Sequence, residues 1–384
     1  MASPDERFMR LALRAALRGV GRTCPNPAVG AVVAKDGVVV ATGHHARAGL
    51  PHAEAVALRR AGGRARGSTL YVTLEPCCHV GRTGPCTEAI LEAGIAEVVY
   101  AAGDPSPHCG GKGECRLLDA GIPVRSGVCR EEARRLAAPF FKRVERGLPF
   151  VTAKWAMTLD GKTATKNGDS RWISSEPALA LAHRLRRRAG AVLVGIGTAL
   201  ADDPLLTCRL PGCLQPLRVI ADRDARIPPN SRLVSTAAVS PVLVAHAPGA
   251  PPAKVQALRE KGVRTVEVRP GGGGIDIEDL FRRLAGGIPG LDPVDHVLLE
   301  GGGELAASAF AAGLVDRVVA IVAPKILTGR GSRTPAGGEN PEALSGAFPL
   351  RFGPIRRLGP DLCVEAWGNA QGPLATETTL RPAG

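Results

Sequence analysis

The sequence has no hydrophobic run long enough to span a bilayer: its longest charge-free apolar stretch, Ala189 to Ala201, falls well short of the roughly 20 residues a membrane-crossing helix requires. It also has no signal-peptide pattern. The N-terminus instead reads Ser3-Pro4-Asp5-Glu6 followed by Phe8, Leu11, Leu13 and Leu17, a helix opened by a capping box at Ser3 and Glu6. Cysteine is sparse, ten in 384 residues, which excludes a disulfide scaffold. Seven of the ten fall within the first 130 residues, and that clustering reads as ligation in a reducing, cytoplasmic setting. Acidic residues are in deficit, giving a formal charge of +13. Nucleic acid, an anionic membrane or a phosphorylated metabolite could each match that excess. Most of it is scattered arginine, which also arises from biased base composition, so charge alone selects no partner. No internal repeat is present.

At 45% hydrophobic content the chain is longer than one core usually absorbs, and two domains are expected. In the first half, apolar runs bounded by turn residues alternate with helical patterns. Strands are expected at Ala28–Ala34, Val38–Thr42, Thr69–Leu74 and Glu97–Ala102, with Lys35-Asp36-Gly37 as a hairpin turn; helices are expected at His52–Ala61, Cys86–Ala93 and Lys112–Ala120. An arginine-rich helix over Arg130–Arg146 ends at Gly147-Leu148-Pro149, which places the boundary between domains 1–147 and 148–367. The second half repeats the alternation, with short strands at Phe150–Trp155, Ala191–Gly195, Leu217–Ala221, Val242–Ala245, Val263–Val268, Val294–Leu299 and Arg317–Pro324. Its clearest helices are Asp276–Ala285 and Glu304–Ala312, and Pro270–Gly274 reads as a flexible loop. Residues 368–384 lose apolar periodicity and read as a disordered tail. The alternation points to layered α/β sheets in both halves.

Pro51-His52-Ala53-Glu54 opens a helix, and Glu75-Pro76-Cys77-Cys78, then Gly84-Pro85-Cys86, follows a strand. A lone His-x-Glu is common by chance, and a buried cysteine is usually a small apolar residue. In this order, however, the pieces match a zinc deaminase: one His and two Cys hold the metal, a fourth position stays open for water, and a Glu that is no ligand moves protons. His52, Cys77 and Cys86 are the expected ligands and Glu54 the proton carrier. Cys78 adjoins Cys77 and cannot readily join the same tetrahedron. The second ligand lies nine positions after Cys77, where nucleic-acid and nucleoside deaminases usually have a tight Cys-x-x-Cys. The insertion, with Arg82, adds a basic wall suited to a phosphorylated substrate. In the second half, Glu300-Gly301-Gly302-Gly303 ends a strand and opens a helix, so bare backbone N–H groups could cradle a phosphate. It is not the Rossmann G-x-G-x-x-G, and Gly195-Ile196-Gly197 alone is a weak signal.

Together, Cys24–Gly30, His52-Ala53-Glu54, Thr73–His79 and Gly81–Cys86, with Lys154–Lys162, Ser170–Ser174, Gly195–Thr198, Asp202-Asp203-Pro204 and Glu300–Gly303, resemble the RibD family of bifunctional riboflavin-biosynthesis deaminase-reductases over residues 1–367. The resemblance implies a cytidine-deaminase-like three-layer α/β/α domain followed by a dihydrofolate-reductase-like α/β domain. It implies zinc-dependent deamination of 2,5-diamino-6-ribosylamino-4(3H)-pyrimidinone 5′-phosphate, then NADPH-dependent reduction of the ribosyl side chain to ribityl. By the same likeness Asn26 lines the pyrimidine pocket. Lys154 and Glu300 act on the opened sugar, and Ala156, Trp172, Thr198, Asp202, Gly302, Gly303, Glu304 and Ser308 hold NADPH. Ser170, Arg186, Leu206, Arg209 and Glu300 bind substrate, although the basic run Arg184–Arg188 could equally be a solvated helix face. A homo-oligomer through the reductase domain is implied, and no nucleic-acid or membrane partner. The alternative is a monofunctional zinc deaminase, including the tRNA-editing kind, whose second domain binds or dimerises without catalysis.

Overall fold

A computed structural model describes residues 3–81, 83–170 and 172–368; Arg82, which the sequence places in the basic wall, and the tail from 369 onward lie outside the described residues. The chain divides between Gly147 and Leu148 into two compact units. None of the helices in the described residues is long and apolar enough to cross a membrane.

Unit 1 contains strands β1 (Gly30–Lys35), β2 (Val38–His44), β3 (Thr69–Leu74), β4 (Glu97–Ala102) and β5 (Val124–Ser126). Its helices are α1 (Pro4–Ala16), α2 (Ala53–Ala61), α3 (Cys86–Glu92), α4 (Lys112–Asp119), α5 (Arg130–Leu136) and α6 (Ala138–Arg146). The sheet order is β2-β1-β3-β4-β5, with β1 antiparallel to both neighbours and the remaining pairs parallel. Two glycines set its layers. A Cβ on Gly30 would lie 2.0 Å from the Ala12 carbonyl oxygen of α1, and one on Gly43 would lie 2.2 Å from the Ala53 oxygen of α2. Gly43 pairs with Ala31, the neighbour of Gly30, so the two glycines face opposite sides of the pleat and the sheet is sandwiched between helices.

The single helix expected over 130–146 is two. Pro139 has no N–H to continue the ladder, and its ring would meet the carbonyl four residues back, so the chain breaks at Ala137 (φ −93°, ψ 9°) and restarts as α6. Asp5 on α1 ties the layers further, accepting from the Tyr71 hydroxyl of β3 at 2.6 Å and from Arg125 of β5 at 2.6 Å.

Unit 2 is built on β6 (Phe150–Thr158), β7 (Ala191–Gly195), β8 (Leu217–Ala221), β9 (Val242–His246), β10 (Arg264–Glu267), a small hairpin of β11 (Pro270–Gly271) and β12 (Gly274–Ile275), β13 (His296–Glu300), β14 (Arg317–Ala323), β15 (Leu350–Leu358) and β16 (Asp361–Gly368). Helices α7 (Glu176–Arg188), α8 (Ile196–Asp202), α9 (Arg232–Ser235), α10 (Pro252–Glu260), α11 (Ile277–Gly286) and α12 (Gly303–Ala311) intervene. The large sheet runs β10-β9-β8-β7-β13-β6-β14-β16-β15, parallel from β10 to β14, with β16 and β15 added antiparallel. Gly368 belongs to β16 rather than to a tail, its N–H donating to the Asp316 carbonyl at 2.9 Å. The segment 270–274 is not a bare loop, because Pro270 pairs with Ile275 in the small hairpin.

Parallel strands buried on both faces read as continuous apolar runs, and the central strands β7 and β13 are buried almost throughout. Their carboxyl ends lie along one edge, where ligands of open α/β sheets bind.

Candidate active sites

In unit 1 the end of β3 and the start of α3 deliver two cysteines, and the residue capping α2 delivers the histidine. His52 is the N-cap of α2 in extended conformation, so its ring projects ahead of the helix while Glu54 sits in the first turn. The Cys77 Sγ lies 3.5 Å from His52 Nδ1 and the Cys86 Sγ 3.3 Å from the same nitrogen. All three donor atoms fall within 4.8 Å of one another, the one such cluster in the described residues. Cys78 stands outside it. One imidazole nitrogen and two thiols converging this closely form the N/S donor set zinc prefers, with three protein ligands leaving one position open.

The Cys86 thiol donates towards Cys77, the Cys86 N–H donates to the same sulfur at 3.5 Å, and His52 lies beside it, so the Cys77 thiol is pushed down while Cys86 is pushed up. The hydrogen bond with Cys77 raises the His52 pKa. Glu54 is only 4% exposed, and its burial raises the carboxyl above the ordinary range. A carboxyl raised in this way takes up a proton more readily than a free one, which suits a proton carrier.

Asn26 joins this site through a residue that spacing alone does not reveal. Its Nδ2 donates to Nε2 of the buried His45 at 3.1 Å, and the His45 Nδ1–H donates to the Pro51 carbonyl at 3.2 Å. Those two bonds fix a neutral tautomer, consistent with the lowering of the His45 pKa by burial. The His45 ring meets His52 edge-on, centroids 5.1 Å apart. The part played by Glu75 was equally hidden in the sequence. Its buried carboxylate accepts from the N–H groups of Asp104, Gly111, Gly113 and Glu114 at 3.0 to 3.3 Å, anchoring the Pro76-Cys77 turn to the loop and helix that follow β4.

Unit 2 holds a cavity of about 1190 Å³ along the carboxyl edge of its sheet. It is lined by Lys154, Ala156, Ser170, Trp172, Arg186, Thr198, Asp202, Leu206, Glu300, Gly302, Gly303, Glu304 and Ser308, so thirteen expected reductase-site residues share one space. Lys154 and Glu300 are register partners on adjacent strands β6 and β13. Gly301 (φ 77°) and Gly302 (φ 87°) turn the chain into α12 in a conformation that only glycine adopts freely. A Cβ on Gly301 would meet the Thr198 side chain at 3.2 Å. Unencumbered N–H groups at a helix start, facing a large cavity, fit the diphosphate of a dinucleotide.

Two of the expected substrate residues are engaged within the protein. Arg209 does not line the cavity; its Nε donates to Nε2 of His183 at 3.1 Å. Arg186 lines it, and its Nε and Nη2 make a bidentate pair with Glu300 at 2.8 and 2.7 Å while Nη1 donates to the Thr207 carbonyl at 3.0 Å. Burial acts to raise the Glu300 carboxyl, but Arg186, with Lys154 nearby, overcomes this and holds it below its usual value. Burial draws the Lys154 ammonium down against the pull of Glu300. Leu206 is held between two arginine contacts in a left-handed conformation (φ 53°): Arg186 binds the carbonyl after it, and the fully buried Arg218 binds the carbonyl of Leu205 before it at 3.1 Å.

A family model described as the RibD C-terminal domain matches residues 149–364, and one described as the cytidine and deoxycytidylate deaminase zinc-binding region matches residues 2–102. The riboflavin biosynthesis protein RibD of Aquifex aeolicus is 41% identical over 361 residues, covering 94% of this chain and 97% of that protein. This chain belongs to the RibD family. The Escherichia coli RibD is 39% identical, covering 95% and 99% respectively. Among solved structures, Acinetobacter baumannii RibD matches with a TM-score of 0.85 at 35% identity, covering 95% of this chain and 99% of that one. A diaminohydroxyphosphoribosylaminopyrimidine deaminase/5-amino-6-(5-phosphoribosylamino)uracil reductase from Thermotoga maritima matches at 0.83 with the same identity and coverage. RibD-family membership makes the chain a bifunctional deaminase and reductase of riboflavin biosynthesis, with zinc and NADPH as its cofactors.

Proposed function

We propose that unit 1 carries out the hydrolytic deamination of 2,5-diamino-6-ribosylamino-4(3H)-pyrimidinone 5′-phosphate, and that unit 2 reduces the ribosyl side chain of the product. The convergence of His52, Cys77 and Cys86 beside a buried Glu54 carries the first assignment. Bound to those three residues, zinc supplies the Lewis acidity that lets water attack at neutral pH. Glu54 would accept the proton given up by the attacking water and pass it to the ring nitrogen, then collect the proton of the newly added hydroxyl and pass it to the departing ammonia. Asn26, aimed by His45, orients the pyrimidine ring.

In unit 2, NADPH supplies the hydride. Ala156, Trp172, Thr198, Asp202, Gly302, Gly303, Glu304 and Ser308 would hold it. Lys154 donates a proton to the sugar oxygen as the ring opens and is reduced, and its lowered pKa suits that transfer. Glu300 positions the sugar hydroxyls and is itself held by Arg186. Ser170 and Leu206 complete the substrate wall.

The ten cysteines, all among the described residues, form no disulfide, which supports a reducing, cytoplasmic location. Strand β15 is an edge strand whose Leu350, Phe352 and Ile355 are exposed, which supports assembly of like copies through the reductase unit. One assay tests the two-step reading: ammonia release from the diaminopyrimidinone ribosyl phosphate, with NADPH absorbance followed in parallel and Glu54→Gln as control. Ammonia first, NADPH consumption second, and loss of both by about 10³-fold in the control is the expected result. Ammonia without NADPH oxidation would reduce unit 2 to a binding module.

A further inference from the structure

Seven of the ten cysteines lie in unit 1; of the three in unit 2, Cys363 is buried within β16, while Cys208 and Cys213 share the loop between α8 and β8. Neither of the pair serves the reactions described above, and neither lines the cavity. A side-chain clamp ties their loop off. Gln215 Nε2 donates to the Cys208 carbonyl at 2.9 Å, the Cys208 N–H donates to Gln215 Oε1 at 2.9 Å, and the Cys213 N–H closes a turn on the Leu210 carbonyl at 3.4 Å. Inside that frame the Cys213 thiol lies 3.4 Å from the Cys208 carbonyl oxygen, and the two thiols are within reach of one another, a contact that adds to burial in raising the Cys208 pKa.

The surroundings of the two sulfurs differ. Cys208 is 3% exposed, and its thiol donates to the His183 carbonyl of α7 at 3.5 Å. Cys213 is half-buried at a loop tip where Pro211, Gly212 and Leu214 are exposed, and Gln215 Nε2 presents a donor to its sulfur at 3.9 Å. An accessible thiol beside a shielded one is the arrangement of an attacking and a resolving cysteine. The clamp already holds the loop closed, so joining the sulfurs asks chiefly for side-chain rotation. The residues leading into the pair belong to the reductase cavity: Leu206 lines it, and the Thr207 carbonyl accepts from Arg186, the partner of Glu300.

We propose that Cys208 and Cys213 are a modification site for hydrogen peroxide, closing to a reversible disulfide that loosens Arg186 and weakens substrate binding in the reductase unit. The Cys213 thiolate attacks one peroxide oxygen: an S–O bond forms, the O–O bond breaks, and the departing hydroxide takes up the proton the thiol released and leaves as water. Cys208 then attacks the sulfenic sulfur, and its proton goes to the hydroxyl that departs as a second water as the S–S bond forms. The two thiols together lose two electrons, which the peroxide gains. In the disulfide Cys208 has no proton to donate to the His183 carbonyl, the neighbouring Thr207 carbonyl shifts with it, and Arg186 loses that contact. The effect on substrate rests on the reading of unit 2 as the reductase; the disulfide itself does not. A cytoplasmic disulfide of this kind is transient and senses redox state rather than building the fold.

Tryptic mapping of the full-length, zinc-loaded protein reads the pair directly, because cleavage after Arg209 separates residues 189–209, with Cys208, from residues 210–218, with Cys213. After hydrogen peroxide and a thiol block, mass spectrometry is expected to find the two peptides as one linked species that dithiothreitol releases. Reductase rates are measured with the deaminated substrate supplied, so that oxidation of the zinc-site cysteines in unit 1 does not enter. Its KM is expected to rise about 2- to 10-fold on oxidation, the range one neutral hydrogen bond carries, with kcat unchanged and dithiothreitol restoring the original value. Cys213→Ser should match the reduced wild type and ignore peroxide. Unlinked peptides with sulfinic acid at Cys213 would overturn the proposal, as would either cysteine joined to a different partner or a linked pair with KM unchanged. A reduced wild type that consumes no NADPH would remove the reductase reading and with it the effect on substrate, while the peptide map still judges the disulfide.

Discussion

Replacing Arg186 with methionine strips Glu300 of a bidentate partner while leaving its carboxylate 10% exposed. An exposed ion pair would cost under about 1 kcal/mol to break. A buried one costs about 3 to 5 kcal/mol, because the remaining charge is left without compensation. Lys154, in register with Glu300, still supplies a cation, so the low end applies: about 3 kcal/mol. All three tryptophans, Trp155, Trp172 and Trp367, lie in unit 2, so tryptophan fluorescence in urea reads this unit's unfolding by itself. The double-mutant cycle with Glu300→Gln isolates the pair: the second substitution should restore most of what the first removes. The pH dependence gives a second reading. In the wild type the Glu300 carboxyl is held below 4.5, so its contribution is present above that pH and is lost as pH falls through the lowered value. Without Arg186, burial carries the carboxyl above 4.5, so the folded state takes up the proton first and the variant's deficit narrows as pH is lowered towards 4. A loss below about 1 kcal/mol at pH 7, or a deficit independent of pH, would refute the reasoning.

Cys78→Ser should retain zinc at wild-type stoichiometry by elemental analysis, whereas Cys86→Ser should lose it, since only Cys86 joins His52 and Cys77. His296 is deeply buried, its Nε2 facing the Thr152 hydroxyl at 2.9 Å and its Nδ1 the Arg188 carbonyl at 3.2 Å, and its pKa is pushed down from 6.5 to about 4 by burial. The unfolded chain therefore binds a proton that the folded one refuses between those values. Unit 2 should lose up to about 3 kcal/mol as pH falls from 6.5 to 4, a slope that urea titrations of His296→Gln should lack. Gly30→Ala must displace the backbone of α1, because its Cβ would sit 2.0 Å from the Ala12 oxygen and 2.6 Å from the Ala16 nitrogen. Overpacking of this kind costs at least about 1 to 3 kcal/mol, measurable by thermal unfolding followed at the tyrosines of unit 1.

What the sequence disclosed depended on how far apart the cooperating residues lie. His52 and Glu54 sit within one helical turn, and Cys77 and Cys86 flank one short loop, so residue types and spacing sufficed. Glu300 to Gly303 was legible as a phosphate cradle because glycine at a strand-to-helix turn has a local cause. The pairing of Arg186 with Glu300 was not legible because its partner lies 114 positions away, where no periodicity reaches. His45 escaped for the same reason, since its contacts with Asn26 and Pro51 exist only once β2 has packed. Strands β15 and β16 went unnoticed partly because Gly353-Pro354 interrupts the first of them at a register shift between Phe352 and Ile355.

The order of strands in unit 2 also bears on how the molecule comes into being on the ribosome. Strand β6, begun at Phe150, is flanked by β13 from His296 and β14 from Arg317. Until those later segments emerge, the first strand of the sheet has neither neighbour, and its apolar faces must wait unpaired through the synthesis of nearly the whole unit. Unit 1 needs nothing beyond α6 to close its sheet. The deaminase half can therefore mature early in translation, while the reductase half is committed late and in one step, with its exposed interval being where chaperones would act.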